Sequence, residues 1–344
     1  MAVSVKEVAA HAGVSVGTVS NVMNRPEKVS NETVRRVQAS IAELGFVRND
    51  AARQLRAGSS RAIGMVVLDI GNPFFSDLVR GAEDKATESG HAIILGNSDE
   101  KVEREGAYLD LFEEQRMHGV LISPFGDIEP RLRQLRKRGT PAVLVDRTSR
   151  EGDFSSVSVD DIAGGAMAAE HLIAQGRRRI AYVCGPHEIR QVADRLTGAQ
   201  NVVRAHRGAT LEVLTGSALS VLEGRRAGES IIARSPQDRP DAVFAANDLM
   251  ALGVLQALSK LGRLTVPDEI ALIGYDDIAF AGAAVVPLSS VRQPSELIGR
   301  TAVEILLEEA ADPSLEKRHV VFQPELVVRE STAGAPLAES GHRE

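Results

Sequence analysis

The feature that most constrains the fold is a recurrence of short apolar runs along most of the chain. The first series is AIGMVVL (62–68), HAIILG (91–96), HGVLIS (118–123) and PAVLVD (141–146), and the second is RIAYVCG (179–185), DAVFAA (241–246) and EIALIGYD (269–276). Helix-length amphipathic segments lie between the runs, and buried strands that alternate with helices indicate parallel sheets covered on both faces. The two series therefore predict two doubly wound parallel-sheet α/β subdomains, with ligand sites at the carboxyl ends of the strands.

The beginning of the chain has a different pattern, that of short helices. Ser4 and Glu7 form a capping-box signature before the first helix, and Gly13 ends that helix. Ser15 then stands where an N-cap begins the second helix, and a third helix is predicted over 30–45. Two helices joined by a tight turn containing glycine, with a third helix supporting them, are typical of a helix-turn-helix domain.

Ser15 also lies in G-x-S-x-G (13–17), the pattern of the nucleophile elbow in serine hydrolases. That elbow requires a strand-to-helix turn at the top of a sheet, whereas this segment lies between two helices and precedes every strand. We therefore interpret Ser15 as a helix cap. The eight histidines show no metal-ligand spacing, and no phosphate-binding loop motif occurs. The sequence predicts neither catalysis nor a metal or cofactor.

The exposed positions of the second helix carry small or amide side chains: Val16, Gly17, Thr18, Ser20, Asn21 and Asn24. In a helix-turn-helix the N-terminal residues of this helix face base edges in the major groove. Asparagine can form two hydrogen bonds with adenine, and small apolar groups can contact a thymine methyl. Residues 1–61 hold nine basic against five acidic residues, while the rest of the chain holds 31 against 42. This asymmetry favours DNA binding by the head, although a plain three-helix scaffold remains the alternative.

VKEVAAHAGVSVGTVSNVMN, followed by VSNETVRRVQASIAELGFVRNDAARQLRAG, resembles the DNA-binding head of the lactose/galactose-repressor (LacI/GalR) family of transcription regulators. The resemblance implies that the linker folds into a hinge helix on operator DNA, where Leu55 wedges between base steps in the minor groove and kinks the duplex. Asn21 stands where many members carry an arginine that reads guanine, so the operator base there is expected to differ. The candidate DNA contacts are Ser4, Ser15, Val16, Gly17, Thr18, Ser20, Asn21, Asn24, Lys28, Asn31, Thr33, Ala51, Leu55 and Arg56.

IGMVVLDIGNPFFSDLVRGAEDKA, AANDLMALGVLQAL and EIALIGYDDI resemble the effector-binding core of the same family, which is similar to ribose-type periplasmic sugar-binding proteins. The matching effector positions are Asn72, Phe74, Phe75, Asp146, Arg147, Arg195, Asn247, Asp276 and Gln293. Such polar groups suit sugar hydroxyls, and aromatic faces cover the C–H faces of a sugar ring.

Some of these residues have simpler interpretations. Phe74 and Phe75 could be core residues, and Asp146 and Asp276 could cap turns. Ribose-type sites usually add an aromatic residue from the segment that matches 210–225, and this segment has none. Ribose, another pentose, a hexose and a nucleoside all remain candidates for the effector.

The predicted organisation is a head (1–46), a linker (47–61), a core (62–330) and a disordered tail (331–344). Within the core, the first subdomain is predicted to hold 62–160 with 277–293, and the second 161–276 with 294–330. The single cysteine, Cys184, and the lack of any apolar run of 18 residues predict a cytoplasmic location without membrane contact.

The sequence thus predicts a homodimeric repressor that binds a palindromic DNA operator and responds to a small sugar. The alternative is a cytosolic protein that binds or processes sugars and whose basic head only assembles subunits. DNA binding that weakens steeply with salt would favour the repressor.

Overall fold

The computed structural model describes residues 3–46, 60–262 and 264–333. The chain divides into two compact units, residues 1–60 and residues 61–344. No helix in the described ranges combines the length and the apolar character that a membrane span requires.

The head consists of α1 (Val5–His11), α2 (Val16–Asn24), a 3-10 turn (Pro26–Lys28) and α3 (Asn31–Leu44). The predicted caps are confirmed. The backbone N–H of Ser4 donates to Glu7 Oε2 at 2.7 Å, and Ser15 Oγ accepts from the N–H of Thr18 at 3.1 Å. Gly45 ends α3 in the left-handed conformation, with φ of 62°. The core of the head is formed mainly by the buried side chains of Val8, Val19, Val22 and Val37.

The second unit contains two six-stranded sheets. In spatial order the first is β11 (His319–Phe322), β5 (Ser156–Val159), β4 (Ala142–Val145), β3 (Val120–Ile122), β1 (Ala62–Val67) and β2 (Ala92–Asn97). The second is β12 (Glu325–Val327), β10 (Ser289–Arg292), β9 (Ala271–Asp276), β8 (Ala242–Ala245), β6 (Arg179–Cys184) and β7 (Thr210–Thr215). All neighbouring strands are parallel except β10 and β12. The predicted fold class is confirmed.

Helices connect the strands of both sheets. They are α4 (Pro73–Glu88), α5 (Val102–Glu114), α6 (Glu129–Lys137), α7 (Asp161–Ala174), α8 (Arg190–Ala205), α9 (Val221–Ile232), α10 (Asp248–Gln256) with a π-helical turn (Ala257–Gly262), α11 (Ala279–Gly282), α12 (Ser295–Ala311) and α13 (Glu330–Ala333).

The last part of the core is divided between the subdomains differently from the prediction. β10 pairs with β9 in the second sheet, so the assignment of 277–293 to the first subdomain is wrong. α12 packs against α4 and β4, and β11 pairs with β5, so most of 294–330 belongs to the first subdomain. Only β12 and the short helix α13 return to the second sheet. The sequence signals strands but not which of two similar sheets a returning strand joins.

The predicted disordered tail also begins too early. Ser331 and Thr332 are buried in α13, and Ser331 Oγ donates to the carbonyl of Leu272 at 2.5 Å. The same hydroxyl accepts from the N–H of Ser289 at 2.8 Å, which attaches α13 to β9 and β10. Hydroxyl groups provide this anchor, so apolar periodicity could not reveal it. Residues 334–344 of the predicted tail lie outside the described residues.

Glycines bring three helix pairs of the core into close contact. A Cβ added to Gly198 on α8 would lie 2.0 Å from the carbonyl oxygen of Ile162, and one on Gly165 of α7 would lie 2.0 Å from that of Arg195. Gly81 with Gly299 (α4 and α12) and Gly224 with Gly253 (α9 and α10) repeat this arrangement. Because α7 and α8 touch through their backbones, the side chains at their N-terminal ends also lie close together.

Candidate functional site

The head presents the predicted recognition surface on α2. Val16 is 42% exposed, and Gly17, Asn21 and Asn24 are also exposed. Two pairs of polar groups are already bonded to each other. Ser15 Oγ and Thr18 Oγ1 are 2.9 Å apart, and Asn24 Nδ2 donates to the carbonyl of Ser20 at 2.8 Å. The side chains of Val16 and Asn21 therefore form the most accessible part of this surface.

The remaining DNA candidates fall into two groups. Ser4 Oγ is bonded to Glu7 Oε2 at 2.8 Å, Thr33 Oγ1 accepts from Ser30 Oγ at 3.0 Å, and Lys28 and Asn31 are exposed. The positions predicted in the linker, Ala51, Leu55 and Arg56, lie outside the described residues.

The two sheets of the second unit enclose a cleft of about 450 Å³, mouth included. Eight of the nine predicted effector residues line it: Asn72, Phe74, Phe75, Asp146, Arg195, Asn247, Asp276 and Gln293. Arg147 does not. Its guanidinium donates to the carbonyl of Gly126 at 2.9 Å and thus supports the loop after β3 rather than the cleft.

Two cleft carboxylates are held at strand ends in an unusual backbone conformation. Asp146 directly follows β4 with φ of 57°, and Asp276 ends β9 with φ of 102°. Residues other than glycine rarely adopt positive φ, and the backbone strain that this conformation causes is concentrated at functional sites. The carboxylates therefore do more than cap turns.

Side-chain amides bind these carboxylates from both subdomains. Asn72 Nδ2 donates to Asp276 Oδ2 at 3.0 Å, and Gln293 Nε2 donates to Asp276 Oδ1 at 2.8 Å. Gln191 Nε2 donates to Asp146 Oδ2 at 2.7 Å and to the carbonyl of Asp146 at 2.6 Å. The Asn72 and Gln191 contacts join the two subdomains across the cleft. Sequence reasoning missed Gln191, although it lies four residues before Arg195 on the same face of α8.

Arg195 is the centre of a buried charge network. Its Nε donates to Asp161 Oδ1 at 2.8 Å, Nη1 donates to the carbonyl of Ala246 at 2.7 Å, and its Cζ lies 3.6 Å from the centre of the Tyr275 ring. Asp276 Oδ1 is 3.9 Å from Nη1. Burial lowers the pKa of Arg195, but attraction, led by that of Asp161, raises it above its ordinary value. Asp161, the first residue of α7, therefore holds this guanidinium in place.

The pKa values of both cleft aspartates lie above their ordinary value. Burial, together with repulsion by Asp161, raises the pKa of Asp146 to about 8, although Arg195 and Gln191 oppose the rise. Burial also raises the pKa of Asp276, while Arg195 and Asn72 lower it. A protonated carboxyl both donates and accepts, as a sugar hydroxyl does.

Hydrogen-bond acceptors of the cleft remain available to a ligand. Among the described residues, Asp146 Oδ1, Gln191 Oε1 and Gln293 Oε1 are buried without a hydrogen-bonding partner. The rings of Phe74 and Phe75 pack edge to face, with centroids 5.0 Å apart, and both line the cleft while remaining buried. A polyhydroxylated ring would satisfy these acceptors with its hydroxyls and cover the phenyl rings with its apolar face.

Aliphatic side chains form another part of the cleft wall: Leu68, Ile189, Val192 and Leu219. Leu219 is the side chain that the segment 210–225 contributes to the lining, in agreement with the lack of an aromatic residue there. Asn247 caps α10, with Oδ1 accepting from the N–H of Met250 at 2.9 Å, and its Nδ2 donates to the carbonyl of Leu219 at 3.3 Å. The segment 210–225 thus contributes an aliphatic side chain where ribose-type sites usually have an aromatic one.

Comparisons with known proteins agree with both parts of the molecule. Residues 4–49 match the model of bacterial regulatory proteins of the lacI family, and residues 169–332 match that of periplasmic binding protein-like domains. The HTH-type transcriptional repressor PurR of Aliivibrio fischeri is 33% identical over 96% of this chain and 98% of that protein. The ribose operon repressor of Bacillus subtilis is 36% identical over 88% of this chain and 90% of that protein.

Solved structures show the same similarity. The lac repressor dimer bound to operator and an anti-inducer has a TM-score of 0.83 at 27% identity and covers 96% of this chain and 99% of its own. A LacI family regulator from Enterococcus faecium with bound ribose has a TM-score of 0.72 at 28% identity, covering 80% of this chain and all of its own.

Proposed function

The chain belongs to the lacI family of bacterial regulatory proteins, which are DNA-binding transcription regulators rather than enzymes, and we propose that it is a sugar-responsive repressor. The observation that carries this proposal is the convergence of eight residues matching a ribose-type site on one cleft between the two subdomains. A regulator of transcription acts on the chromosome, so we also propose a cytoplasmic location.

In this proposal the head binds operator DNA in the major groove through α2. The exposed Asn21 amide and the exposed Val16 side chain contact base edges. Leu55 wedges into the minor groove, and the other candidate positions contact the sugar-phosphate backbone or support these contacts.

The active form is a homodimer bound to a near-palindromic operator whose half-sites lie about one helical turn apart. A solved structure similar to this chain supports such an assembly, because it holds a lac repressor dimer bound to operator.

The effector is ribose, with another pentose, a hexose or a nucleoside as alternatives. The B. subtilis relative is a ribose operon repressor, and the E. faecium structure holds ribose. The buried acceptors of Asp146, Gln191 and Gln293 suit hydroxyl donors, and Phe74 and Phe75 suit an apolar ring face.

Effector binding changes DNA affinity through the arrangement of the two subdomains. The hydrogen bonds from Asn72 to Asp276 and from Gln191 to Asp146 already cross the cleft, so a ligand that replaces them alters how the subdomains are joined. A ligand shifts this equilibrium by its differential affinity, and the coupling between sugar and operator must be reciprocal.

The test is operator affinity with and without a panel of sugars and nucleosides. A sugar that changes the affinity, together with binding that weakens steeply with salt, would support the proposal. If no small molecule changes operator affinity, the allosteric part is wrong. A head that binds no duplex at all would favour the alternative, a sugar-binding protein whose head only assembles subunits.

The role of Leu55 has its own test. Leu55→Ala is expected to weaken operator binding because the wedge is lost, while sugar affinity, measured by calorimetry, stays unchanged. Equal operator affinity in the variant would contradict the wedge.

A further inference from the structure

The mouth of the effector cleft carries two carboxylates that the ribose-type pattern does not include. Asp69 follows β1, Glu100 follows β2, and both line the cleft. Leu219 of the second subdomain lines the same cleft. Glu100 therefore lies where both subdomains face an entering ligand.

The basic residues near Glu100 neutralise its neighbour Asp99 rather than Glu100 itself. Asp99 and Glu100 both adopt left-handed backbone conformations, with φ of 55° and 54°. Lys101 Nζ lies 2.6 Å and Arg104 Nη1 3.1 Å from Asp99 Oδ2, so both cations of the loop bind Asp99. Burial and repulsion by Asp69 and Asp99 raise the pKa of Glu100 to about 7, against the lowering effect of Leu219. Glu100 thus has neither Lys101 nor Arg104 as a partner, and it carries an uncompensated negative charge at the mouth once the pH exceeds its pKa of about 7.

The cleft offers little positive charge. Of its described lining residues, Arg195 is the only cation; its Nε and Nη1 already donate to Asp161 and to the carbonyl of Ala246, and its guanidinium lies over the ring of Tyr275. A phosphate or carboxylate on a ligand needs charged donors of this kind. Here it would first meet Asp69 and Glu100 at the mouth.

We propose that Glu100, supported by Asp69, determines effector specificity by excluding anionic compounds, so that the cleft accepts uncharged polyhydroxyl compounds and rejects sugar phosphates and sugar acids. This inference rests on the proposed function, because it assumes that the effector binds in this cleft. Discrimination through repulsion of the wrong ligand is a general route to specificity. It separates a free sugar from its phosphate ester, two compounds that differ at a single hydroxyl group.

The test compares D-ribose with D-ribose 5-phosphate by calorimetry on the full-length protein, at a pH above the pKa of Glu100. The variant is Glu100→Gln, and the control is Asp84→Asn, which removes one exposed negative charge from α4, outside the cleft lining. The wild type is expected to bind ribose at least about 100-fold more tightly than the phosphate, and Glu100→Gln should reduce that ratio about tenfold or more. Asp84→Asn should leave the ratio within about twofold, because solvent and salt screen an exposed charge outside the cleft.

Two results would overturn the proposal: wild-type protein that binds both compounds equally, or a folded Glu100→Gln variant with an unchanged ratio. The second result would mean that the phosphate is excluded by size alone, since glutamine has the shape of glutamate.

Failure of the proposed effector class gives a different result, in which no uncharged sugar or nucleoside binds. The exclusion of anions by Glu100 is then tested without a ligand, by following the titration of the ¹³C-labelled Glu100 carboxyl with NMR. We expect it to titrate near pH 7 and to move lower in Asp69→Asn. A Glu100 carboxyl that stays protonated well above that pH would overturn the proposal, because it would carry no negative charge to repel an anion.

Discussion

Asn72 donates a 3.0 Å hydrogen bond to Asp276 across the cleft and joins the start of α4 in the first subdomain to the end of β9 in the second. The same asparagine caps α4, because its Oδ1 accepts from the N–H of Phe74 at 3.1 Å. One side chain therefore begins a helix and connects the subdomains. A ligand hydroxyl that binds Asp276 must compete with it.

The two roles of Asn72 can be separated by substitution. Asn72→Ser keeps a capping hydroxyl but removes the amide that reaches Asp276, whereas Asn72→Ala removes both. Thermal unfolding should show a loss of about 1 kcal/mol in the alanine variant relative to serine. Both variants should bind the effector more weakly, because the amide that the ligand releases from Asp276 is expected to donate to a ligand oxygen in turn. If serine restored wild-type sugar affinity, the amide would make no such contact.

Arg195 is expected to be essential for stability as well as for the site. Arg195→Met leaves Asp161, Asp146 and Asp276 buried without their cation, which should cost about 3–5 kcal/mol in urea unfolding. Adding Asp161→Asn should recover part of the loss because it removes one uncompensated charge. If the losses of unfolding free energy in the two single variants simply added in the double variant, Arg195 and Asp161 would not be coupled.

A matched control for Arg195→Met is Arg300→Met. Arg300 Nη2 lies 2.9 Å from Glu88 Oε1, but this pair is exposed, so the free energy of unfolding should hardly change.

Gly198→Ala should destabilise the core, since the new Cβ would lie 2.0 Å from the backbone carbonyl of Ile162. Overpacking of this kind typically costs about 1–3 kcal/mol. Gly106 on α5 is the control, because a Cβ there meets nothing within 4 Å. Gly106→Ala should stabilise the protein by about 0.5–1 kcal/mol through helix propensity. Urea unfolding of both variants would decide, and equal effects would contradict the close approach of α7 and α8.

Asn21 should determine operator sequence rather than head stability, because its amide is exposed on α2. Asn21→Ala is expected to cost about 1–3 kcal/mol of affinity for a duplex selected by the wild type, with no change in melting temperature. Gln38→Ala, which removes an exposed amide from α3, is the control and should leave affinity unchanged. Fluorescence anisotropy on the selected and on scrambled duplexes would measure both. An equal loss on every sequence would assign Asn21 to the DNA backbone.

Local signals made the head and the central strands predictable from the sequence. Ser4, Ser15 and Gly45 act within one helical turn, so their effects are encoded in neighbouring residues. Central strands such as β8 are apolar on both faces and therefore stand out as runs. By contrast, β5 reads SVSV, and its buried Ser156 and Ser158 conceal it from any search for apolar runs.

The site was predictable where it follows strand ends, and otherwise only in part. Asp146 and Asp276 follow apolar runs, whereas Gln191 reaches Asp146 from 45 residues away, a pairing that only the assembled fold creates. Arg147 shows the opposite error, since adjacency to Asp146 did not place its side chain in the cleft. The sequence identifies which residue types gather at a sheet edge. It does not identify their hydrogen-bond partners, because these depend on how α8 lies against the other subdomain.

Asp146 should make the protein less stable as pH rises. Its pKa is about 8 in the folded protein, well above that of an unfolded aspartate, so the folded state binds more protons between about pH 4 and pH 8. The contribution to stability is thus full below pH 4 and is lost as pH rises through 8. Asp146→Asn should reduce this fall and be the more stable form at pH 8. Asparagine preserves the shape and tolerates positive φ, so the substitution mainly removes the charge.

Asp84→Asn is the control, because Asp84 is exposed on α4 of the same subdomain. The free energy of unfolding would be measured in urea at pH 5, 6, 7 and 8, which cover the upper part of that range. It should fall with pH as steeply in Asp84→Asn as in the wild type, and less steeply in Asp146→Asn. Asp161 and Asp276 also repel Asp146, so its neutralisation eases their ionisation and flattens the slope further. A slope equal to that of the wild type would mean that Asp146 is already ionised in the folded protein, in which case Arg195 and Gln191 compensate its burial completely.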